Sequence, residues 1–426
     1  MTSRAPKVTQ AAGKLPAVLL GGAATALSVA RSLGKAGVEV TILSDGANDC
    51  LARRSRFCHR YVHYELADDV KAQWLTFLQS HQASAVFACC DMGLEFIAAH
   101  RADLVAAGHR PMEASDDVLV TMLDKQLTYD LALELGIGTP RTVTAHSQDD
   151  AGRALFAGFG FPLAVKPARS DVLLRNAPDF ASPKGLIVRD EAQLRAYLQG
   201  LINAGVPGLI TEIIPGDDGR YCSYYTYLDE HGEPLAQFTK RKPRQFPIEF
   251  GLGTFHVSKW DPEVAEVGLA LLRGMGLVGF GCVEFKRDER DGRLKVIECT
   301  PRFTMANGLV ARAGVDFALL AYDRLVGDEP RPVGSFKEGV HLWFPQADVK
   351  ALFAYRAKGA LTTWQWLKSL AHVPHFPTFQ WSDPMPFATG VRGGIRRIAR
   401  NRGRSRRPRV DSPTDLTQTV VDHGGR

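Results

Sequence analysis

The chain has 426 residues, 45% hydrophobic and 23% charged, with a formal net charge of +6. That length is too great for one small core and suits two or three domains, and the composition is that of an ordinary soluble globular protein. Seven cysteines, an odd number without a CxxC pair, argue against a disulfide framework or a cysteine zinc site. They favour a reducing compartment, with the cytoplasm as the default.

The positive charge is local. Residues 392–409, RGGIRRIARNRGRSRRPR, hold nine arginines and no acid, so the rest of the chain balances at −3. The segment 391–426 reads as a disordered tail that is either simply solvated or in contact with anionic surfaces.

Taken in chain order, residues 1–15 read as a disordered N-terminus. The stretch KLPAVLLGGAATALSVA resembles a secretory leader, but the pattern continues unbroken through RSLGKAGVEVTILSDG. It reads as strand 16–20, a Gly21-Gly22 turn, helix 24–36 and strand 38–43, the opening of a βαβ unit. Strand and helix signals alternate to residue 121, which predicts a Rossmann-like α/β domain over 16–121. The turn reads GGAATA rather than GxGxxG, so a dinucleotide is not expected there. No 18-residue apolar run occurs elsewhere, and no membrane span is expected.

From Asp124 the character changes. DKQLTYDLALELGIG is an amphipathic helix that ends at Gly136, and FPLAVKPARS is a short buried strand bearing Lys166. GLITEIIPG is a strand ended by Pro215 and Gly216, and YCSYYTYLD is an aromatic alternating strand. GFGCVEFKRD and RLKVIECT form a hairpin, GVDFALLAYDRLVG a helix. A second domain of antiparallel sheets is expected over 122–330. An aromatic, Pro-rich extension over 331–390 carries its own strand, GVHLWFP, and helix, TTWQWLKSLA.

Glu284 and Glu298 stand in apolar runs, where an ionised carboxylate needs a partner. If the hairpin loop is 290–292 with Gly292 left-handed, residue 289 pairs with 293 and the two glutamates face each other. Like charges at that spacing destabilise a sheet, and a divalent cation resolves the conflict, unless the two are unrelated surface glutamates on an edge hairpin. Lys166 in a buried strand calls for an anion unless it snorkels at the strand end. Lys125, at a helix N-terminus, opposes the macrodipole and also favours an anion. Glu212, Ile213 and Ile214 sit where freed backbone groups can meet a purine, with Asp218 in reach of a ribose. Arg302 can clamp a phosphate or carboxylate. The run KRKPR packs Lys240, Arg241, Lys242 and Arg244 before a Gly251/Gly253 turn, either as a solvated face or, with Arg241, Lys242 and Arg244 foremost, for an anionic substrate.

The series DK…GIGTP, VKP, TEIIPG, VEF and IECTPR, over roughly residues 16–330, resembles the ATP-grasp superfamily. The KRKPRQFP…GLG stretch is most similar to the D-aspartate-ligase-like, predicted carboligase branch, and the N-terminal unit to the domain that precedes ATP-grasp in carbamoyl-phosphate-synthase-like ligases. The resemblance implies ATP with Mg²⁺ or Mn²⁺ as cofactors. Lys125 and Lys166 would then contact phosphates, Glu212, Ile213 and Ile214 the adenine, and Asp218 the ribose. Glu284 and Glu298 would bind the metal, and Arg302 would steady the transferred group. The implied reaction is phosphorylation of a small carboxylate, followed by attack of an amine or similar nucleophile. A non-catalytic or regulatory ATP binder is the alternative. Two departures stand out: Thr300 occupies the family's usual asparagine position, and the phosphate-covering loop, ARSDVLLRNAPDFASPKG, has only Gly185 and would rely on Arg169 or Lys184. The expected partners are small-molecule carboxylate and amine substrates, with a homodimer possible in this family. No specific nucleic acid is expected, and the tail would touch anionic surfaces only weakly.

Overall fold

The computed structural model describes residues 14–21, 23–46, 51–65, 69–168, 173, 176–177, 179–182, 185–249, 251–371 and 375–392. The expected disordered N-terminus, most of the arginine tail, Arg169 and Lys184 lie outside the described residues, wholly or nearly so.

Three sheets make up the fold. The first is parallel: β1 (Ala17–Leu20), β2 (Val40–Leu43), β3 (Arg60–Val62), β4 (Ala85–Ala88) and β5 (Arg110–Pro111), in the order β3-β2-β1-β4-β5. β1 and β4 are buried at every residue, which is why AVLL and AVFA read as unbroken apolar runs rather than alternating ones. At the end of β1 the chain turns through Gly21 at φ +89°, where a Cβ would lie 2.4 Å from Cys90 Sγ. Only glycine fits that approach.

The second, small sheet is antiparallel: β6 (Thr142–Ala145), β7 (Leu163–Pro167), β8 (Leu186–Val188) and β9 (Gly208–Glu212), in the order β6-β9-β7-β8. The third, large sheet is also antiparallel: β10 (Tyr221–Leu228), β11 (Pro234–Phe246), β12 (Leu252–Ser258), β13 (Gly279–Arg287), β14 (Leu294–Thr300) and β15 (His341–Trp343). Its order is β14-β13-β10-β11-β12-β15. The expected fold class, a Rossmann-like α/β unit followed by antiparallel sheets, is the observed one.

The hydrophobic core is divided unevenly. The small sheet and its two helices, Gln148–Phe156 and Glu191–Asn203, enclose a core of their own around Leu163, Val165, Leu198 and Ile210. The parallel and large sheets share one continuous core, which runs from Leu19 and Phe87 through Phe280 and Phe303 to Leu342. The helix Lys125–Glu134 packs into the larger core through Tyr129 and Ala132 and is started by Asp124, whose carboxylate accepts from the amides of Gln126 and Leu127. Among the described residues no helix is long and apolar enough to cross a membrane.

Candidate active site

The small sheet roofs a cleft of about 640 Å³ whose floor is one face of the large sheet. That is the size range of small-molecule sites. Lys125, Lys166, Glu212, Ile213 and Ile214 line it from above, and Lys242, Glu284, Glu298 and Arg302 from below.

The two glutamates are brought together by an unexpected route. Gly292 is left-handed, at φ +71°, but the hairpin closes with Asp288 N–H on Arg293 O at 2.9 Å, one pair earlier than expected. The loop is therefore 289–292, four residues rather than three. Arg287 pairs with Leu294 and Phe285 with Val296, a register that would put Glu298 on the far face. A bulge at Ile297 then inserts one residue, and Glu284 pairs with Glu298 after all. The bulge is held in place: Tyr129 Oη, on the helix above, donates to Ile297 O at 2.9 Å.

Neither carboxylate is left bare. Lys242 Nζ lies 2.9 Å from Glu284 Oε1 and over the Tyr221 ring at 4.0 Å. Lys125 Nζ lies 3.3 Å from Glu298 Oε1. Lys125, helped by Lys166 and Arg302, holds the Glu298 carboxyl down at about 2, although the side chain is 56% exposed to the open cleft. Lys166 is the one exposed residue of β7 and opens to the cleft, where partial desolvation and the neighbouring Lys125 lower its ammonium. On Lys125 itself burial pulls downward, but Glu298 leads the groups that raise it overall. Lys166 has a second neighbour of note. Gly185, at φ +116°, passes so close that a Cβ there would sit 2.8 Å from Lys166 Cγ.

At the other end, the Glu212 carboxylate is occupied by Arg141 Nε at 3.1 Å and Arg290 Nη1 at 3.3 Å. Burial would raise it, yet these hydrogen bonds, Arg290's foremost, lower it. The Ile214 carbonyl accepts from Lys286 Nζ at 2.8 Å. Ile213 and Ile214 thus offer an apolar shelf, and Glu212 fixes the strand end through its two arginines. Arg302 lines the cleft while its Nε donates to Asp91 of the parallel-sheet unit at 2.6 Å.

Three expected site residues lie elsewhere. Asp218 is buried outside the cleft, where it accepts from Gln245 Nε2 at 2.7 Å, the Glu249 amide at 3.1 Å and the Tyr355 hydroxyl. It ties a loop to the C-terminal extension and does not itself line the cleft, although its partner Gln245 does. Arg241 is exposed on the opposite face of β11 and pairs with Asp261 at 3.4 Å. Arg244 would share the cleft face with Lys240 and Lys242 by simple alternation. Register shifts on both sides of it, however, set it opposite Phe255 and send it to the far face. There it makes a buried, two-pronged pair with Asp348 at 2.8 Å.

Lys240, the first residue of the KRKPR run, lines the cleft as well, and so does His256, which the sequence reading missed. Lys240 is buried, donates to Ser223 Oγ at 3.0 Å, and is lowered by burial in spite of Glu284. His256 is buried with Nδ1 unpartnered, and burial, Lys240 and Lys242 push it well below the usual histidine range. It reaches this position because β12 passes Lys242 at Gly253, where a Cβ would meet His256 Cε1 at 2.2 Å. Nothing in TFHVS singles out His256.

Glu298, Glu284, Ser223 and Lys240 form a single row across four neighbouring strands, since each is the register partner of the next. An acidic pair therefore stands at one end of the row and a basic pocket at the other. The fold that carries this row is a known one. Biotin carboxylase from Campylobacter jejuni, solved as a complex with β-γ-ATP, superposes with a TM-score of 0.57 at 13% identity, over 77% of this chain and 74% of that one. An L-amino acid ligase from Bacillus licheniformis gives 0.54 at 16%, over 74% and 75%.

This is the ATP-grasp fold.

Among curated proteins, a D-aspartate ligase from Enterococcus faecium is 22% identical over 251 residues, 58% of this chain. The alignment spans 59% of that ligase, less than two thirds of its length. No family model matches the chain. The small sheet and the large sheet stand on opposite sides of the cleft, and the row of paired residues lies on its floor.

Proposed function

We propose that the chain is an ATP- and Mg²⁺-dependent ligase. It phosphorylates a small carboxylate substrate to an acyl phosphate, which an amine or similar nucleophile then attacks to form a carbon–nitrogen bond. The observation that carries this reading is the facing pair Glu284–Glu298, with lysines on both sides in one cleft. The names of two relatives, D-aspartate ligase and L-amino acid ligase, support amino acids as the substrate class.

The residues fit a magnesium ion. Among the described residues no three acidic, histidine or cysteine side chains cluster, so two carboxylates are the acidic donors available. Mg²⁺ is characteristically held by one or two carboxylates together with substrate phosphates. The Thr300 hydroxyl, two residues beyond Glu298 on the same strand face, is buried without a hydrogen-bond partner. It can serve as a further oxygen ligand where the family usually has asparagine. Glu284 and Glu298 would hold the ion, which when bound neutralises charge on the phosphates.

Lys125 and Lys166 bind phosphate oxygens in this scheme, and Ile213 and Ile214 bracket the adenine. Lys125 and Lys242 now neutralise the two glutamates, and each is released to a phosphate or carboxylate oxygen once the acids are otherwise engaged. Lys240 and Lys242 orient the substrate carboxylate, and Arg302 draws the transferred group into line. A carboxylate oxygen bonds to the γ-phosphorus as the bond to the ADP oxygen breaks. The amine then attacks the acyl carbon and expels phosphate. Positioning and electrostatic stabilisation supply the catalysis.

The test is a screen of amino acids and small acids for ATP- and Mg²⁺-dependent phosphate release, with ADP as the co-product. ATP binding without release for any acid would favour the non-catalytic reading, which the Thr300 substitution keeps in view.

A further inference from the structure

The C-terminal extension shows an unusual division of charge. Residues 345–392 contain two acids, Asp348 and Asp383, and both are fully buried. Asp348 accepts from Arg244, from Thr254 Oγ1 at 2.7 Å, and from the indoles of Trp343 and Trp366 at 2.9 and 2.8 Å. Asp383 accepts from Arg31 Nε at 2.9 Å, Ser55 Oγ at 2.7 Å and the Arg56 amide at 3.0 Å. The outer surface of this stretch therefore carries basic charge alone, including exposed Lys350, Arg356, Lys368 and Arg392.

The same surface is apolar beyond ordinary need. Trp381 is 88% exposed, Trp364 73% and Phe353 63%, with Leu367, Met385, Phe387 and Val391 exposed beside them. The helix Thr363–Ser369 buries none of its seven residues, although it carries two tryptophans. Of these side chains, Trp381 and Phe387 are joined by ring contacts to a row of half-buried aromatics that reaches Trp366 on that helix. Ring contacts run from Trp366 to Trp343 at 6.1 Å, to Phe376 at 5.6 Å, to Phe379 at 6.4 Å, and on to Trp381 at 4.9 Å and Phe387 at 5.3 Å. Scattered apolar residues need no explanation, but a connected aromatic patch marks an interaction site.

We propose that this surface docks on an anionic phospholipid bilayer as a peripheral, interfacial anchor. Tryptophan and phenylalanine with flanking lysine and arginine suit the headgroup layer. Stable attachment takes two signals, an apolar one and a polybasic one, and the nine arginines of 392–409 begin one residue after Val391. The basic run contains no aromatic residue, so it lacks the stacking platforms with which single-stranded nucleic acids are held. Through Asp348 the surface is braced to Arg244 on β11, the strand that also carries Lys240 and Lys242. Docking would thus hold the cleft at a fixed attitude to the membrane.

The test is flotation of the purified full chain with vesicles of phosphatidylcholine alone and of phosphatidylcholine with phosphatidylglycerol. The chain should float only with the anionic vesicles and be released by high salt. The double variant Trp364→Ser/Trp381→Ser should bind them about tenfold more weakly, with unchanged melting temperature. No flotation at low salt, or undiminished binding by the double variant, would overturn the proposal. So would preference for single-stranded RNA over the anionic vesicles. A dimer that the two substitutions dissociate, with flotation unchanged, would assign the patch to a second copy instead.

Discussion

Glu298 sits among Lys125, Lys166 and Arg302, and those cations hold its carboxyl at about 2. A carboxyl lowered in the folded state stabilises the fold above its unfolded value, near 4.3, and loses that contribution as pH falls through the folded one. Stability should therefore decline between about pH 4.5 and pH 2 partly through this group. Glu298→Gln should flatten that decline in urea titrations, leave the fold intact at neutral pH, and abolish Mg²⁺-dependent ATP turnover. Lys166→Ala should weaken ATP binding by about tenfold to a hundredfold in calorimetry, the worth of one charge-assisted contact. An affinity within about twofold of the parent would make Lys166 a strand-end lysine. These residues were legible because each puts a charge into an apolar run, a local conflict that calls for a partner. Asp218 and Glu212 were legible only as positions. Their carboxylates serve Gln245, Tyr355, Arg141 and Arg290, partners that lie 27 to 137 residues away.

Elements follow the same division. The parallel sheet, the hairpin and the helix started by Asp124 could be read from apolar runs, an Asp-Gly turn and a capping residue. The bulges could not. A single extra residue at Ile297 restores the facing of Glu284 and Glu298 that the four-residue loop would have undone. The irregularities around Arg244 take that arginine out of the cleft. A bulge is fixed by tertiary partners, here Tyr129 above Ile297 and Asp348 beneath Arg244, and not by the residues that form it. The Arg244–Asp348 pair is where the extension is fastened to the large sheet, and both members are buried. Arg244→Ala strands the Asp348 charge and should cost about 3–5 kcal/mol, measured by urea unfolding. A loss below about 1 kcal/mol would mean that Thr254 and the two indoles satisfy Asp348 without it.

At the scale of the whole molecule, the chain places one small core over a larger one and leaves the cleft between them. The parallel-sheet unit is not a bystander, because Asp91 on it reaches Arg302 at the cleft edge. The arginine-rich end is separate from this arrangement. Removal of residues 392–426 should leave ATP turnover in solution unchanged, as followed by ADP formation, and a loss of activity would place the tail in the site. The account stands most directly on the acyl phosphate. With a productive acid, ATP and Mg²⁺, added hydroxylamine should trap that mixed anhydride as a hydroxamate, with ADP and phosphate formed in equal amounts. AMP and pyrophosphate in their place would mean an adenylate, and would contradict the proposed chemistry.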